Sequence, residues 1–263
     1  MNSLINTSQP ARIIILGSGT CIPNIRRSAC SVFIEIGFNK LLFDIGPGTM
    51  KRLLEAGLIL SDITHIFLSH FHPDHSGELA TFLFASKYGR FSRKKPLAII
   101  AGHGLIGFYN ALKKVYGHWI EWDPLDMLLN ELPIKDQPPL KYDNFQVSVL
   151  PMCHNEESLA YNIKTSKGVS IVYTGDTDYC DNLITISKNA DIMICESAFP
   201  DALKVKGHLT PSLAGKAAQK AGVKKLILTH FYPECDQVDI QKECQKAFNG
   251  PIVIAEDLMC IDL

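Results

Sequence analysis

Six consecutive residues, His70-Phe71-His72-Pro73-Asp74-His75, place three imidazoles and a carboxylate directly after an apolar run at positions 63–69. Imidazole nitrogens and carboxylate oxygens are the standard ligands of zinc and related divalent cations. Side chains two apart on an extended segment point the same way. His70 and His72 can therefore grip one ion while Asp74 and His75, around the bend, face a second. A solvated loop that merely happens to be histidine-rich fits poorly, because metal-competent polar side chains at the mouth of a buried strand lose hydration without gaining partners.

The rest of the chain must position this cluster. Runs at 13–16, 31–36 and 40–44 are apolar or β-branched and broken by Gly and Asn, which is hairpin patterning, so the chain is expected to open as antiparallel β. Gly46-Pro47-Gly48 turns it, residues 50–56 have helical spacing stopped by Gly57, and a strand over 66–69 delivers the histidines. Helices are predicted over 76–85 and 104–116, with a strand over 96–101 between them. From 119 to 139 regular periodicity is lost, and the segment reads as a lid, a homodimer contact or a long connection.

Strands follow at 145–150, 160–164, 170–174, 192–195 and 225–229, with helices at 211–221, capped by Thr210, and 238–248; the runs 252–255 and 258–261 finish the second sheet. The expected architecture is α/β: one unit over 1–263, built of two similar ββα halves that share one core. Two sheets face to face with helices on both outer faces form a four-layer αββα sandwich, the layer solution that buries every apolar face.

Further ligands end other strands. His154 follows 145–150, Asp176 follows 170–174 in Thr-Gly-Asp-Thr, and His230 follows 225–229. Loops at the C-terminal ends of strands converge on one sheet edge, so these three side chains can meet the hexapeptide.

Several segments together resemble the metallo-β-lactamase fold, and within it the ribonuclease Z-like branch. They are Leu-Gly-Ser-Gly-Thr at 16–20, Leu-Leu-Phe-Asp-Ile-Gly at 41–46, the His-x-His-x-Asp-His signature, Tyr-Thr-Gly-Asp-Thr at 173–177 and Leu-Thr-His-Phe at 228–231. The resemblance implies one metal held by His70, His72 and His154, a second held by Asp74, His75 and His230, and Asp176 bridging. Zinc suits that set, though manganese and iron accept the same ligands. It further implies a hydroxide between the ions as nucleophile, oriented by Asp74. Two divalent ions carry about four positive charges; two carboxylates and a hydroxide return about three, and the roughly single surplus favours a small anionic ester.

Gly207-His208-Leu209-Thr210 resembles the branch's His-Ser-Thr loop with Leu209 in place of the serine. His208 is the candidate for contacting a non-bridging oxygen or protonating the leaving group. Cys195-Glu196-Ser197 stands where the branch has His-Glu-Ala-Thr, so Glu196 reads either as orienting His208 or as an ordinary strand-end ion pair. His65, expected to face solvent, and His118 read as structural, and His103 is not expected to line the site. Trp119 and Trp122 read as packing.

Composition narrows the function classes. A chain of 263 residues with 46% apolar content and net charge −1 has no field to attract nucleic acid or an anionic membrane. The polar first ten residues and the lack of a long apolar run point to a cytoplasmic protein without a membrane partner. Eight cysteines without a Cys-x-x-Cys pair read mostly as buried small hydrophobes in a reducing compartment, with Cys153 singled out beside His154. Ribonuclease Z proper carries a long transfer RNA-gripping arm between the positions of His154 and Asp176. The interval here holds two strands and a turn, and the basic run 90–95 is the sole basic cluster, so transfer RNA is not expected as a partner.

The expected function is a dinuclear metal-dependent phosphodiesterase for cyclic nucleotides or cyclic sugar phosphates. The alternatives are a ribonuclease Z-like RNA endonuclease, a hydrolase of another ester, lactone or thioester, and a metal-binding regulatory protein on the same fold.

Overall fold

The computed structural model describes residues 11–88, 93, 95–123, 125–133 and 137–263. Strand β1 (Arg12–Gly17) shows how the sequence makes layers. Its alternate residues Ile13 and Ile15 face one apolar cluster while Ile14 and Leu16 face another. A strand covered on both faces reads as an unbroken apolar run rather than an alternating one, and that is the pattern of Ile13-Ile14-Ile15-Leu16. β2 (Ser31–Ile36) repeats it, with Val32 and Ile34 inward and Phe33 outward.

The first sheet adds β3 (Asn39–Phe43), β4 (His65–Phe67), β5 (Leu97–Ala101) and β6 (Met127–Glu131). Helices α1 (Thr49–Glu55), α2 (Pro73–Ser76), α3 (Leu79–Tyr88) and α4 (Leu105–Tyr116) lie along the same half. Leu53, Phe82, Leu83 and Leu105 of these helices pack on the outer face of this sheet.

The second sheet contains β7 (Leu140–Lys141), β8 (Phe145–Pro151), β9 (Leu159–Thr165), β10 (Ser170–Tyr173), β11 (Ile192–Glu196), β12 (Lys225–Thr229) and β13 (Ile252–Ile254). Its helices are α5 (Asp181–Ile186), α6 (Pro211–Ala221) and α7 (Ile240–Gln245). Their Leu183, Ala214, Ala217, Ala218 and Cys244 join the larger apolar cluster, which also holds the inward residues of both sheets. Two sheets flanked by helices is the αββα arrangement expected from the sequence.

Each sheet is antiparallel on one side and parallel on the other. In the first, the β1–β2 and β2–β3 pairs are antiparallel, whereas β3–β4, β4–β5 and β5–β6 are parallel. In the second, β7 through β10 pair antiparallel and β10 through β13 parallel.

Three expectations need correction. The last strand, β14 (Met259–Asp262), does not finish the second sheet; it crosses to pair antiparallel with β1. That pairing covers the backbone edge β1 would otherwise leave open. The 119–139 segment contains β6, which pairs parallel with β5; its pattern was obscure because only Met127 is buried. Pro124 and residues 134–136 lie outside the described residues. The third concerns His65, which opens β4 and packs edge-on against Tyr142, ring centroids 4.9 Å apart, instead of facing solvent. Burial alone lowers its pKa to about 4, so it stays neutral in the sandwich.

The cysteines also divide differently. Cys30, Cys195, Cys235 and Cys244 are buried, but Cys21, Cys153 and Cys260 are exposed and Cys180 is half-buried. Of the basic run 90–95, residues 90–92 and 94 lie outside the described residues. Arg93 turns inward, donating to the Leu60 carbonyl at 2.9 Å and to that of Ile63.

Candidate metal centre

The hexapeptide leaves β4 in extended conformation and enters a single helical turn at Pro73. Pro73 sits at the first helical position, where its missing N–H costs nothing and its fixed φ suits the turn. Ser76 Oγ donates to the carbonyls of Phe71 and His72, both at 3.0 Å. This bend separates His70 and His72 from Asp74 and His75.

Gly46 permits the turn to pack close. A Cβ at this position would lie 2.0 Å from the Asp74 carbonyl oxygen, and the adjoining Ile45 N–H donates to the His75 carbonyl at 2.7 Å. Gly46→Ala is expected to lower folding stability by about 1–3 kcal/mol through overpacking, read as a drop in thermal midpoint; an unchanged midpoint would show that the turn yields freely.

His70, His72, His154 and Asp176 each bring one ligand atom within 4.8 Å of the others, and so do Asp74, His75 and His230. The Asp176 carboxylate lies between the two groups. Its Oδ1 is 3.3 Å from Nε2 of both His75 and His230, and its Oδ2 is 3.8 Å from Nε2 of both His70 and His154. Ligands at roughly 2.0–2.1 Å from a tetrahedral ion stand about 3.3 Å from one another. Nε2 of His75 and His230 are 3.2 Å apart, and Nε2 of His154 is 3.3 Å from Nδ1 of His72.

The residues fit divalent cations on two further grounds. Among the described residues, buried His70 Nε2 and Asp176 Oδ1 have no hydrogen-bond partner, which is costly unless something else is held there. The far nitrogens of several imidazoles are occupied, which fixes the tautomer and leaves the inner lone pair free. His154 Nδ1 donates to the Gly207 carbonyl at 2.9 Å. His75 Nδ1 donates to Asp44 Oδ2 at 2.7 Å. His70 Nδ1 lies 3.0 Å from Ser69 Oγ, whose own proton goes to Asp44 Oδ2 at 2.7 Å. His72 Nε2 is 3.0 Å from the Asn155 amide; with the amide oxygen inward, a half-turn that moves no other atom, it accepts the Nε2 proton and leaves Nδ1 for an ion.

Electrostatics agree. Burial opposes charge on both His75 and Asp176. Asp176 and Asp44 outweigh it to raise His75 well above the ordinary imidazole value, and His230 and His75 outweigh it to hold Asp176 well below the ordinary carboxylate range.

Asp44 is the site residue that the sequence reading left without a role. Fully buried, it accepts from Ser69 N at 2.6 Å, Ser69 Oγ and His75 Nδ1 at 2.7 Å, and Tyr173 OH at 2.5 Å. It holds φ at 58° and His230 holds φ at 60°, the left-handed region that favours glycine. Strain of this kind persists where surrounding contacts over-determine the backbone. The available signal was a lone carboxylate ending the buried run Leu41-Leu42-Phe43. Asp44→Asn is expected to weaken metal retention about 10- to 100-fold. Competition with a chromophoric chelator measures this, and native affinity in the variant would reduce Asp44 to a packing role.

His208 and Glu196 also meet at this centre. His208 Nδ1 is 3.1 Å from Glu196 Oε1 and 3.8 Å from Asp176 Oδ2. Burial lowers the His208 pKa, but the bond to Glu196 and its charge outweigh this and raise it above the ordinary value. Glu196 Oε1 also accepts from Thr177 N at 2.7 Å, and Oε2 from Leu209 N at 3.1 Å and Ala198 N at 3.3 Å. Among the described residues no Lys or Arg pairs with Glu196, so its partner is His208. Leu209 and Cys195, the two departures from the branch pattern, point into the core.

The His208 loop is tied to the Asp176 segment. Asp178 Oδ2 accepts from Gly207 N and Lys204 Nζ, both at 2.9 Å. Gly207 has φ 89°, and a Cβ there would approach His154 Nδ1 to 3.3 Å. His103 lies apart, 3.1 Å from Glu131 and two-thirds exposed, and His118 packs tilted against Trp119 with ring centroids 4.3 Å apart. Trp122 packs on the first sheet's outer cluster, whereas Trp119 is half-exposed beside Phe84 and Tyr88.

Residues 11–249 match the family described as Anti-Pycsar protein Apyc1. The chain belongs to that family. The Apyc1-family chain is also similar to ribonuclease Z of Archaeoglobus fulgidus, at 26% identity over 307 aligned positions covering 96% of this chain and 97% of the relative. That alignment is longer than the 263-residue chain, so the relative carries segments this chain lacks.

Two solved structures share the fold. The metallo-β-lactamase fold protein YhfI from Bacillus subtilis superposes with TM-score 0.82 at 24% identity, covering 97% of this chain and all of that one. The short form of human tRNase Z does so with TM-score 0.78 at 23% identity, covering 95% and 98%. The Apyc1-family chain is thus a ribonuclease Z-related, metal-dependent hydrolase of the metallo-β-lactamase fold. Between His154 and Asp176 it has β9, β10 and their connections, and no arm. No helix among its described residues is long and apolar enough to cross a membrane.

Proposed function

We propose that this centre hydrolyses phosphodiesters. The observation that carries the reading is the Asp176 carboxylate, which turns one oxygen toward each of two histidine clusters 3.3 and 3.8 Å away. In this reading His70, His72 and His154 hold one divalent ion, Asp74, His75 and His230 hold the other, and Asp176 is shared; zinc is the ion we expect. When bound, the two ions supply Lewis-acid charge and acidify water. Asp74 then orients the attacking water by accepting its hydrogen bond. His208, raised in pKa beside Glu196, presents a proton to a phosphoryl oxygen or to the leaving group. Glu196 keeps that ring in place through Nδ1.

For the substrate we propose small phosphodiesters such as cyclic nucleotides or cyclic sugar phosphates, because the interval after His154 offers no arm and the chain carries net charge −1. A second reading, RNA endonuclease action, has the stronger support from named relatives, which match nearly the full chain as ribonuclease Z.

One panel separates these readings. Protein of known metal content is assayed with bis-p-nitrophenyl phosphate, 2′,3′- and 3′,5′-cyclic nucleotides, a 3′-extended transfer RNA precursor, a lactone and a cephalosporin. Turnover of the cyclic nucleotides without cleavage of the precursor is the expected result. Cleavage of the precursor alone establishes the second reading, and turnover confined to the lactone or cephalosporin removes both.

A further inference from the structure

Three segments that each carry a residue of the centre meet at one side chain to which the mechanism gives no role, that of Asp178. His154 follows β8, Asp176 follows β10, and His208 lies in the connection between β11 and α6. Asp178 continues the Asp176 segment, its N–H donates to the Cys153 carbonyl at 2.8 Å, and its Oδ2 accepts from Gly207 N at 2.9 Å. Cys153 N in turn donates to Thr177 Oγ1 at 3.2 Å. The residue before His154 and the residue before His208 are therefore both bonded to Asp178, one through its main chain and the other through its carboxylate.

Gly207 is held from two sides. Its N–H goes to Asp178, and its carbonyl accepts from His154 Nδ1 at 2.9 Å. With φ at 89° and room for no atom beyond Cα without crowding the His154 ring, the position calls for glycine on both counts. His208 N donates to the Val205 carbonyl at 3.3 Å, closing a turn over 205–208. That bond is long for an N–H to a carbonyl, so the anchors outside the turn decide where His208 begins. Glu196 receives His208 Nδ1 and Leu209 N, both at 3.1 Å. His208 is thus fixed after its Cα by Glu196 and before it by Asp178.

Asp178 offers the turn both a charge and an acceptor. Lys204 Nζ lies 2.9 Å from the same Oδ2, but the two side chains are 31% and 27% exposed, and an ion pair so wetted contributes little. Removing the acceptor, by contrast, strips a backbone N–H of its partner. The acceptor outweighs the charge.

We propose that Asp178 is a positioning residue for His208. By accepting from Gly207 N–H its carboxylate sets the backbone entering His208, and the imidazole then meets Glu196 and faces Asp176. The effect on rate rests on the phosphodiester reading above; the effect on the turn does not.

Asp178→Ala, Asp178→Asn and Lys204→Ala test it. Hydrogen exchange on the metal-free protein reads the turn directly. Asp178→Ala is expected to speed exchange of the Gly207 and His208 amides about tenfold, the loss of one hydrogen bond. Asp178→Asn, which keeps an oxygen for Gly207 N, and Lys204→Ala are expected to stay within about threefold of native on the same scale. Unchanged exchange in Asp178→Ala overturns the assignment, as does Asp178→Asn exchanging as fast as Asp178→Ala. Equal acceleration throughout β8 and β10 also overturns it, since that reports general loss of stability.

Metal-loaded protein then reads the consequence, with the cyclic nucleotide it hydrolyses best. Asp178→Ala is expected to lower kcat about tenfold in the native background and less than about twofold in a His208→Ala background, where the group it positions is gone. Equal falls in both backgrounds overturn the proposal. If the wild-type protein hydrolyses no phosphodiester, the phosphodiester reading fails, and the exchange measurement by itself upholds or overturns the role of Asp178.

Discussion

Asp176→Ala is expected to abolish turnover and to leave at most one tightly held cation per chain. The residue is 3% exposed, and each of its two oxygens faces one histidine cluster. Alanine removes a ligand from each cluster together with a negative charge, and four inward-facing Nε2 atoms are left around a void. Loss of both Lewis-acid and water-activating roles corresponds to a rate fall on the order of 10⁴ or more. Elemental analysis after gel filtration, together with kcat, measures both effects. Two cations retained with activity within about tenfold of native would show that the clusters work separately, against the shared-carboxylate reading.

His208→Ala is expected to lower kcat about 10²- to 10³-fold while both cations stay. The distinction matters because His208 also lies within 4.8 Å of Asp176 and His230, close enough to be a ligand itself. Its Nδ1, the atom nearest Asp176, is already bonded to Glu196, and its ring lies parallel to that of His230 at 5.8 Å rather than converging on it. Metal analysis of the variant decides the question, since a lost cation would make His208 a ligand. Glu196→Gln should fall between native and His208→Ala in kcat and narrow the pH range of activity, because the ring loses the charge that raises its pKa. A purely structural Glu196 would change thermal midpoint and leave the pH profile alone.

Much of the layer structure was legible because strand identity is a local property. Twelve of the fourteen strands among the described residues, all but β6 and β7, coincide wholly or partly with runs legible as strands in the sequence. β6 was not legible, since four of its five residues are partly exposed and carry no alternation. The partner of β14 was also hidden, because nothing in Met259–Asp262 distinguishes one sheet edge from another; the choice is made by pairing with β1, some 250 residues away in sequence. His65 misled for a related reason. A polar residue opening a strand ordinarily faces water, but Tyr142 and Phe145 from the other sheet cover this one.

At the centre itself, the sequence carries the ligand types, the bend at Pro73 and the strand ends that bring His154, Asp176 and His230 to one edge, because these follow from residue chemistry and backbone periodicity over a few positions. Which oxygen of Asp176 faces which cluster and how Asp44 braces His70 and His75 depend on distances between segments far apart in the chain. Only packing two sheets face to face sets those distances, since the ångström that separates a ligand from a neighbour is decided by the side chains filling the core between them.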